Sequence, residues 1–113
     1  MHELSLAESM RTIVLDAARA HGARSVAAVR VGIGALACVE PEALRFAFDI
    51  VKRDSIAAAA RLEVERVPAR ARCLACACAV EVASRADLCP RCGSGRIQID
   101  GGADLRILDI EIA

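Results

Sequence analysis

Leu4, Leu6, Met10, Ile13, Val14 and Ala17 recur at spacings of three and four near the start of the chain, the stripe of an amphipathic helix. The helix is predicted from about Ser5 to His21, with Gly22 placed to end it. His21 falls in the last turn, where a helix C-terminus favours positive charge, and reads as structural rather than as a ligand. In SVAAVRVGIG, Val29, Val31 and Ile33 alternate with Arg30 and Gly32, as in a half-buried strand. The closing GIG lacks the third glycine of a dinucleotide fingerprint, so it reads as a strand end that needs close backbone approach. VEPEALRFAFDIVKRDS predicts a second helix. Pro41 suits its first position, Glu42 complements its positive start, and Lys52 and Arg53 suit its last turn. Leu44, Ala47, Phe48 and Val51 form its buried stripe.

Two more strands follow from strict alternation. Leu62 and Val64 alternate with Glu63 and Glu65, and near the end Leu108, Ile110 and Ile112 alternate with Asp109 and Glu111. Leu105 and Ile107 have the opposite phase, which predicts a bulge or shift near Leu108. The order helix, strand, helix, strand, closing strand implies an α+β fold, two helices packed on a small β-sheet of about three strands. A cysteine-rich insert interrupts that sheet. The expected division is an α+β domain over 1–69, completed by a closing strand in 99–113, with an inserted zinc-ribbon domain over 70–98. SRADLCPRCGSG is turn chemistry throughout, so the insert is expected to have little core of its own.

Composition sharpens this picture. Apolar residues make up 56% of the 113, but aromatics only 2%, and much of the rest is alanine. Alanine contributes little area, so the core is thin and needs another support, which cysteine could supply. The 15 basic and 15 acidic side chains balance, which argues against nucleic acid or a membrane surface as a partner. Scarce aromatics also remove the stacking platforms of a single-strand binder. MHELSLAES has no basic, apolar leader character and no apolar run reaches transmembrane length, so a soluble cytoplasmic protein is expected. In that compartment six cysteines read as metal ligands or free thiols rather than disulfides.

The cysteines are paired. Cys73 and Cys76 form one C-x-x-C turn, and Cys89 and Cys92 another, with twelve residues between the turns. Each turn aims two sulfurs at one point, and two turns make a tetrahedral four-thiolate site suited to zinc. Two matched pairs without a thioredoxin-like context disfavour a redox dithiol. Four thiolates close the shell to substrate and water, so the zinc should be structural. Cys38 reads as a small buried hydrophobe, and Cys78 as an idle thiol close enough to exchange with Cys76. No phosphate loop and no convincing nucleophile–base pair is present, so the chain reads as no enzyme and any nucleotide-driven step belongs to a partner.

The opening Met-His-Glu, the central VGIGALACVEPEALRFAFD and the paired cysteine turns, in that order, resemble the HypA/HybF hydrogenase nickel-insertion proteins over essentially the whole chain. The resemblance implies that His2 binds nickel, that Glu3 assists, and that Glu40, where some members carry Asp, joins the site. It also implies delivery of Ni(II) to the [NiFe] hydrogenase large subunit with a HypB-like GTPase, and in some members service to urease maturation. The chemistry agrees with this. A terminal amine, the His2 amide nitrogen and its imidazole can chelate Ni(II) through fused rings, with a carboxylate as an oxygen donor. The competing reading is a zinc-ribbon module that binds nucleic acid or acts as an adaptor; it rests on the cysteine insert alone.

Overall fold

The computed structural model describes residues 2–113, and the chain divides into two compact units. The first holds residues 2–31, 39–65 and 107–113, and the second holds 32–38 and 66–106. The chain order is α1 (Glu3–Ala20), β1 (Val26–Gly34), α2 (Pro41–Val51), β2 (Arg61–Val67), β3 (Ala69–Cys73), β4 (Ala79–Val82), β5 (Ile97–Gly101) and β6 (Leu105–Ile112). The strands form two three-stranded sheets, ordered β2-β1-β6 and β4-β3-β5.

In the first unit α1 packs against α2. α1 begins at Glu3, slightly earlier than its apolar stripe predicts, because the His2 carbonyl accepts the Leu6 N–H at 3.0 Å. It ends in a Schellman motif: Ala23 N–H donates to the Ala18 carbonyl and Gly22 N–H to Arg19, with Gly22 at φ +65°. His21 adds a ring contact, its Nδ1 lying 2.9 Å from the Ala17 carbonyl, so its role is structural. The buried face of α1 is Ala7, Met10, Val14, Leu15 and Ala18, whereas Leu4 and Ile13 are about half exposed. The predicted stripe was thus rotated towards the larger side chains. The true face uses alanine at close approach.

α2 starts and faces as its sequence predicts, but it ends at Val51, so Lys52 is its C-cap and Arg53 lies beyond it, not in its last turn. Pro41 opens it, and Leu44, Ala47 and Phe48 are buried, with Val51 at the margin. Arg45 reaches across to the Leu62 carbonyl, and Lys52 Nζ donates to the Ala60 carbonyl at 2.6 Å. β1 is buried more completely than simple alternation suggests, since Gly32 and Gly34 are buried as well as Val31 and Ile33. Its Arg30 lies on the open face between Asp109 and Glu65, with Nη2 2.5 Å from Asp109 and Nη1 3.4 Å from Glu65. β6 shows the expected change of phase: Leu108 and Asp109 are consecutive exposed residues inside the alternation.

The second unit carries its own sheet and a buried cluster, contrary to the expectation of an insert with little core of its own. β3 pairs antiparallel with β4 and with β5. Ala69, Ala71, Cys73, Val80, Val82 and Cys89 form the buried cluster, flanked by Leu36, Ile97 and Ile99. Residues 99–101, expected in the closing strand, pair with β3 instead. Gly102, at φ +102°, then breaks the chain before β6 begins. A Cβ on Gly34 would lie 2.2 Å from the Gly102 carbonyl oxygen, so GIG is indeed a strand end with close backbone approach. Cys38 corrects the reading of a buried hydrophobe. It is exposed at φ +55°, and its neighbour Val39 is the residue that is buried.

Candidate metal centre

Two loops of the second unit repeat one backbone design. In the first, Cys73 N–H donates to the Cys78 carbonyl and Ala77 N–H to Cys73. In the second, Cys89 N–H donates to Ser94 and Gly93 N–H to Cys89. The residue four after each leading cysteine is left-handed in both, Ala77 at φ +63° and Gly93 at φ +79°. That turn folds each C-x-x-C back on itself and brings its two sulfurs to one side. β3 delivers Cys73 at its last residue, and the segment after β4 delivers Cys89. Asp87 shapes that segment by accepting from Ala83 N–H at 2.7 Å and Ser84 Oγ at 2.8 Å. The Ala83 N–H and the Ser84 hydroxyl hold the Asp87 carboxyl below its ordinary range.

The result brings Cys73, Cys76, Cys89 and Cys92 together, with their Sγ atoms all within 4.8 Å of one another. Cys73 Sγ lies 3.5 Å from Cys92 Sγ, and Cys76 Sγ 3.8 Å from Cys89 Sγ. A tetrahedron of zinc–thiolate bonds of about 2.3 Å has sulfur–sulfur edges of about 3.8 Å. The donor set therefore fits a tetrahedral metal. Cys73 and Cys89 are buried, Cys76 is half-buried and Cys92 faces solvent, which gives an ion a route in. Cys78 Sγ is turned to the Cys76 carbonyl, 3.6 Å away, and is not among the four.

Backbone dipoles prepare the thiols unequally. The Cys76 N–H, 3.4 Å from Cys73 Sγ, is the first cause that draws the Cys73 thiol down to about 6. The Cys78 backbone acts to lower Cys76, but burial and hydrogen bonds with the neighbouring thiols push it up to about 12. Without a cation the four thiols thus share negative charge unevenly. A bound divalent ion favours ionisation of all four, and binding releases the remaining protons.

The other predicted ligands are not gathered in this way. His2 is exposed and sits as the N-cap of α1, and its side chain makes no capping hydrogen bond. Glu3 is half-buried in the first turn. Glu40 is the N-cap of α2, and its carboxylate accepts the Glu42 N–H at 3.2 and 3.3 Å. Among the described residues, the four cysteines are the only cluster of three or more such donors. The terminal amine expected in the nickel chelate belongs to Met1, which lies outside the described residues. Asp87 and Ala77 are the supporting residues that the sequence reading missed. The serine three before Asp87 was a usable signal for a side-chain-capped turn.

The chain matches the family model described as "Hydrogenase/urease nickel incorporation, metallochaperone, hypA" over residues 1–112. Hydrogenase maturation factor HypA of Azoarcus sp. strain BH72 is 47% identical over 112 residues, covering 99% of this chain and 98% of that protein. HypA of Rhodobacter capsulatus is 46% identical, with 99% of each chain covered. The fold is similar to the solution structure of the Ni metallochaperone HypA from Helicobacter pylori. That similarity has a TM-score of 0.72 at 24% identity, over 99% of this chain and 97% of that one. A second HypA solution structure is similar at a TM-score of 0.74. These matches displace the stand-alone zinc-ribbon reading: the chain belongs to the HypA family of nickel-incorporation metallochaperones for hydrogenase and urease, which are maturation factors and not enzymes.

Proposed function

We propose that this protein takes up Ni(II) at His2 and delivers it to the large subunit of a [NiFe] hydrogenase, while zinc in the four-cysteine site holds the second unit folded. One observation carries the reading. The four sulfurs, all within 4.8 Å of one another, use up the shell of one tetrahedral ion and leave no open position for cargo. Nickel then needs different donors, and His2 is exposed at the start of α1, where another protein can reach it. Nitrogen and oxygen donors suit Ni(II), so the imidazole is the anchor and the Met1 amine and His2 amide complete the chelate. Glu3 is covalently next to that chelate and precedes Glu40 as the carboxylate donor. Glu40 would have to give up its helix cap to ligate.

The chain has no phosphate loop, so GTP hydrolysis in the delivery cycle falls to a HypB-like partner. Urease maturation proteins are the other acceptors within the family's scope. The six unpaired cysteines support work in a reducing compartment, the cytoplasm. Calorimetric Ni(II) titration tests the proposal. His2→Ala should abolish the specific nickel isotherm with zinc content unchanged, and a Gly-Ser extension before Met1 should weaken it severely. Nickel affinity undiminished in His2→Ala would remove His2 from the site.

A further inference from the structure

The four sulfurs of the metal centre differ in exposure and in company. The leading sulfur of each turn is buried and held by its own backbone. Cys73 Sγ accepts the Cys76 N–H, and Cys89 Sγ accepts the Arg91 N–H, each at 3.4 Å. The trailing cysteines are more open, Cys76 half-buried and Cys92 exposed. Nothing crowds the residue after Cys92, since a Cβ on Gly93 would meet no atom within 4 Å. The close sulfur pairs each join a trailing sulfur to the leading sulfur of the other turn: Cys92 with Cys73 at 3.5 Å, and Cys76 with Cys89 at 3.8 Å. The exposed cysteine therefore has a buried partner directly behind it, on a different loop.

That pairing is the layout of an oxidisable dithiol. Solvent access decides which sulfur an oxidant meets first, and a second sulfur within reach traps the product before it oxidises further. A disulfide holds its sulfurs about 2.05 Å apart, so Cys92 and Cys73 need to close by about 1.5 Å. Cys92 sits in CPRCGSG, where Gly93 and Gly95 make the backbone permissive to that movement.

We infer that Cys92 and Cys73 form a peroxide-sensitive pair, which closes as a disulfide across the two turns rather than within either C-x-x-C. In the first step the Cys92 sulfur attacks one oxygen of hydrogen peroxide. The O–O bond breaks, water leaves, and Cys92 becomes a sulfenic acid. In the second step the Cys73 sulfur attacks the Cys92 sulfur, the S–O bond breaks and a second water leaves. Two electrons pass from the sulfurs to the peroxide oxygens. Two protons, from the thiols or, for thiolates, from solvent, complete the two waters. Cys76 and Cys89 remain, and two thiolates do not fill a tetrahedral shell, so oxidation ejects a bound ion. The new bond ties the loop after β3 to the segment after β4, and so constrains the unit in place of the metal. The inference rests on the four-cysteine geometry and not on where nickel binds.

Peptide mapping of the full zinc-loaded chain tests it, with Cys38→Ser introduced to remove an exposed thiol that would link two copies. Zinc content measured before oxidation tests the metal site separately. Trypsin cuts after Arg72, Arg85, Arg91 and Arg96. Cys73, Cys76 and Cys78 then fall on fragment 73–85, Cys89 on 86–91 and Cys92 on 92–96. Under equimolar hydrogen peroxide, 73–85 and 92–96 should appear linked, and tandem mass spectrometry should place the bond at Cys73. Zinc release should keep step with that link. Dimedone present during the exposure should label 92–96 first. A dithiol reductant with added zinc should restore both the thiols and the metal. A first link between 86–91 and 92–96, or within 73–85, overturns the inference, as does zinc release with no disulfide. A bond from Cys92 to Cys78 overturns the choice of Cys73. Dimedone on 73–85 or 86–91 before 92–96 overturns Cys92 as the attacked sulfur. Zinc and thiols that both survive excess peroxide overturn the sensitivity itself.

Discussion

Removing the metal should unfold the second unit and leave the first largely intact. The buried cluster of the second unit has six members, two alanines, two valines and the two cysteines Cys73 and Cys89. Its largest wholly apolar members are Val80 and Val82. Burying a valine side chain is worth about 1.5–3 kcal/mol, so the two together contribute roughly 3–6 kcal/mol. A structural zinc site contributes roughly 10–16 kcal/mol of apparent binding energy at neutral pH. A zinc ion bound here would outweigh these two side chains. Hydrogen exchange after treatment with a strong chelator under reducing conditions should show loss of amide protection in β3, β4 and β5. Protection in α1 and α2, whose buried side chains include Met10, Val14, Leu44 and Phe48, should persist. Cys89→Ser should reproduce this pattern without chelator. Retained protection in β3 and β5 after metal loss would mean that the apolar cluster suffices and that the metal does not hold the unit folded.

Other expectations follow from single residues. Ala77→Gly should stabilise the metal-loaded second unit by about 1 kcal/mol, because Ala77 holds at φ +63° the conformation that Gly93 supplies in the matching loop; rising chelator resistance would register it. Phe48→Ala should cost about 3–5 kcal/mol, since the ring is fully buried, and a urea midpoint unchanged from wild type would contradict that. The Arg30 guanidinium holds the Asp109 carboxyl below its ordinary range. Its contribution is therefore present above the ordinary carboxylate pKa and is lost as pH falls through the depressed one. Asp109→Asn should flatten that part of the acid limb in a pH series of urea midpoints.

Elements with large apolar residues at clear spacing were legible in the sequence. α2 shows why: Pro41 at its start and Leu44 and Phe48 on one face leave little choice of start or orientation, whereas its end at Val51 had no such marker. α1 was legible as a helix but not in its facing, because the structure buries Ala7 and Ala18 and exposes Ile13. Alanine carries too weak a hydrophobic signal to mark a face, although it permits the closest packing. The same weakness hid β3, whose inner residues are Ala69, Ala71 and Cys73. The clustering of Cys73, Cys76, Cys89 and Cys92 was legible, since their spacing alone puts them in two turns. Glu40 was legible as a residue of interest, but its bond to the Glu42 N–H depends on backbone geometry that no spacing reveals.

X-ray absorption at the zinc and nickel edges of one protein sample loaded with both metals separates the structural ion from the cargo. The zinc edge should show four sulfur neighbours at about 2.3 Å. The nickel edge should show nitrogen and oxygen donors only, with an imidazole signature that disappears in His2→Ala. Sulfur scattering at the nickel edge, or zinc displaced from the four cysteines as nickel is added, would contradict that separation.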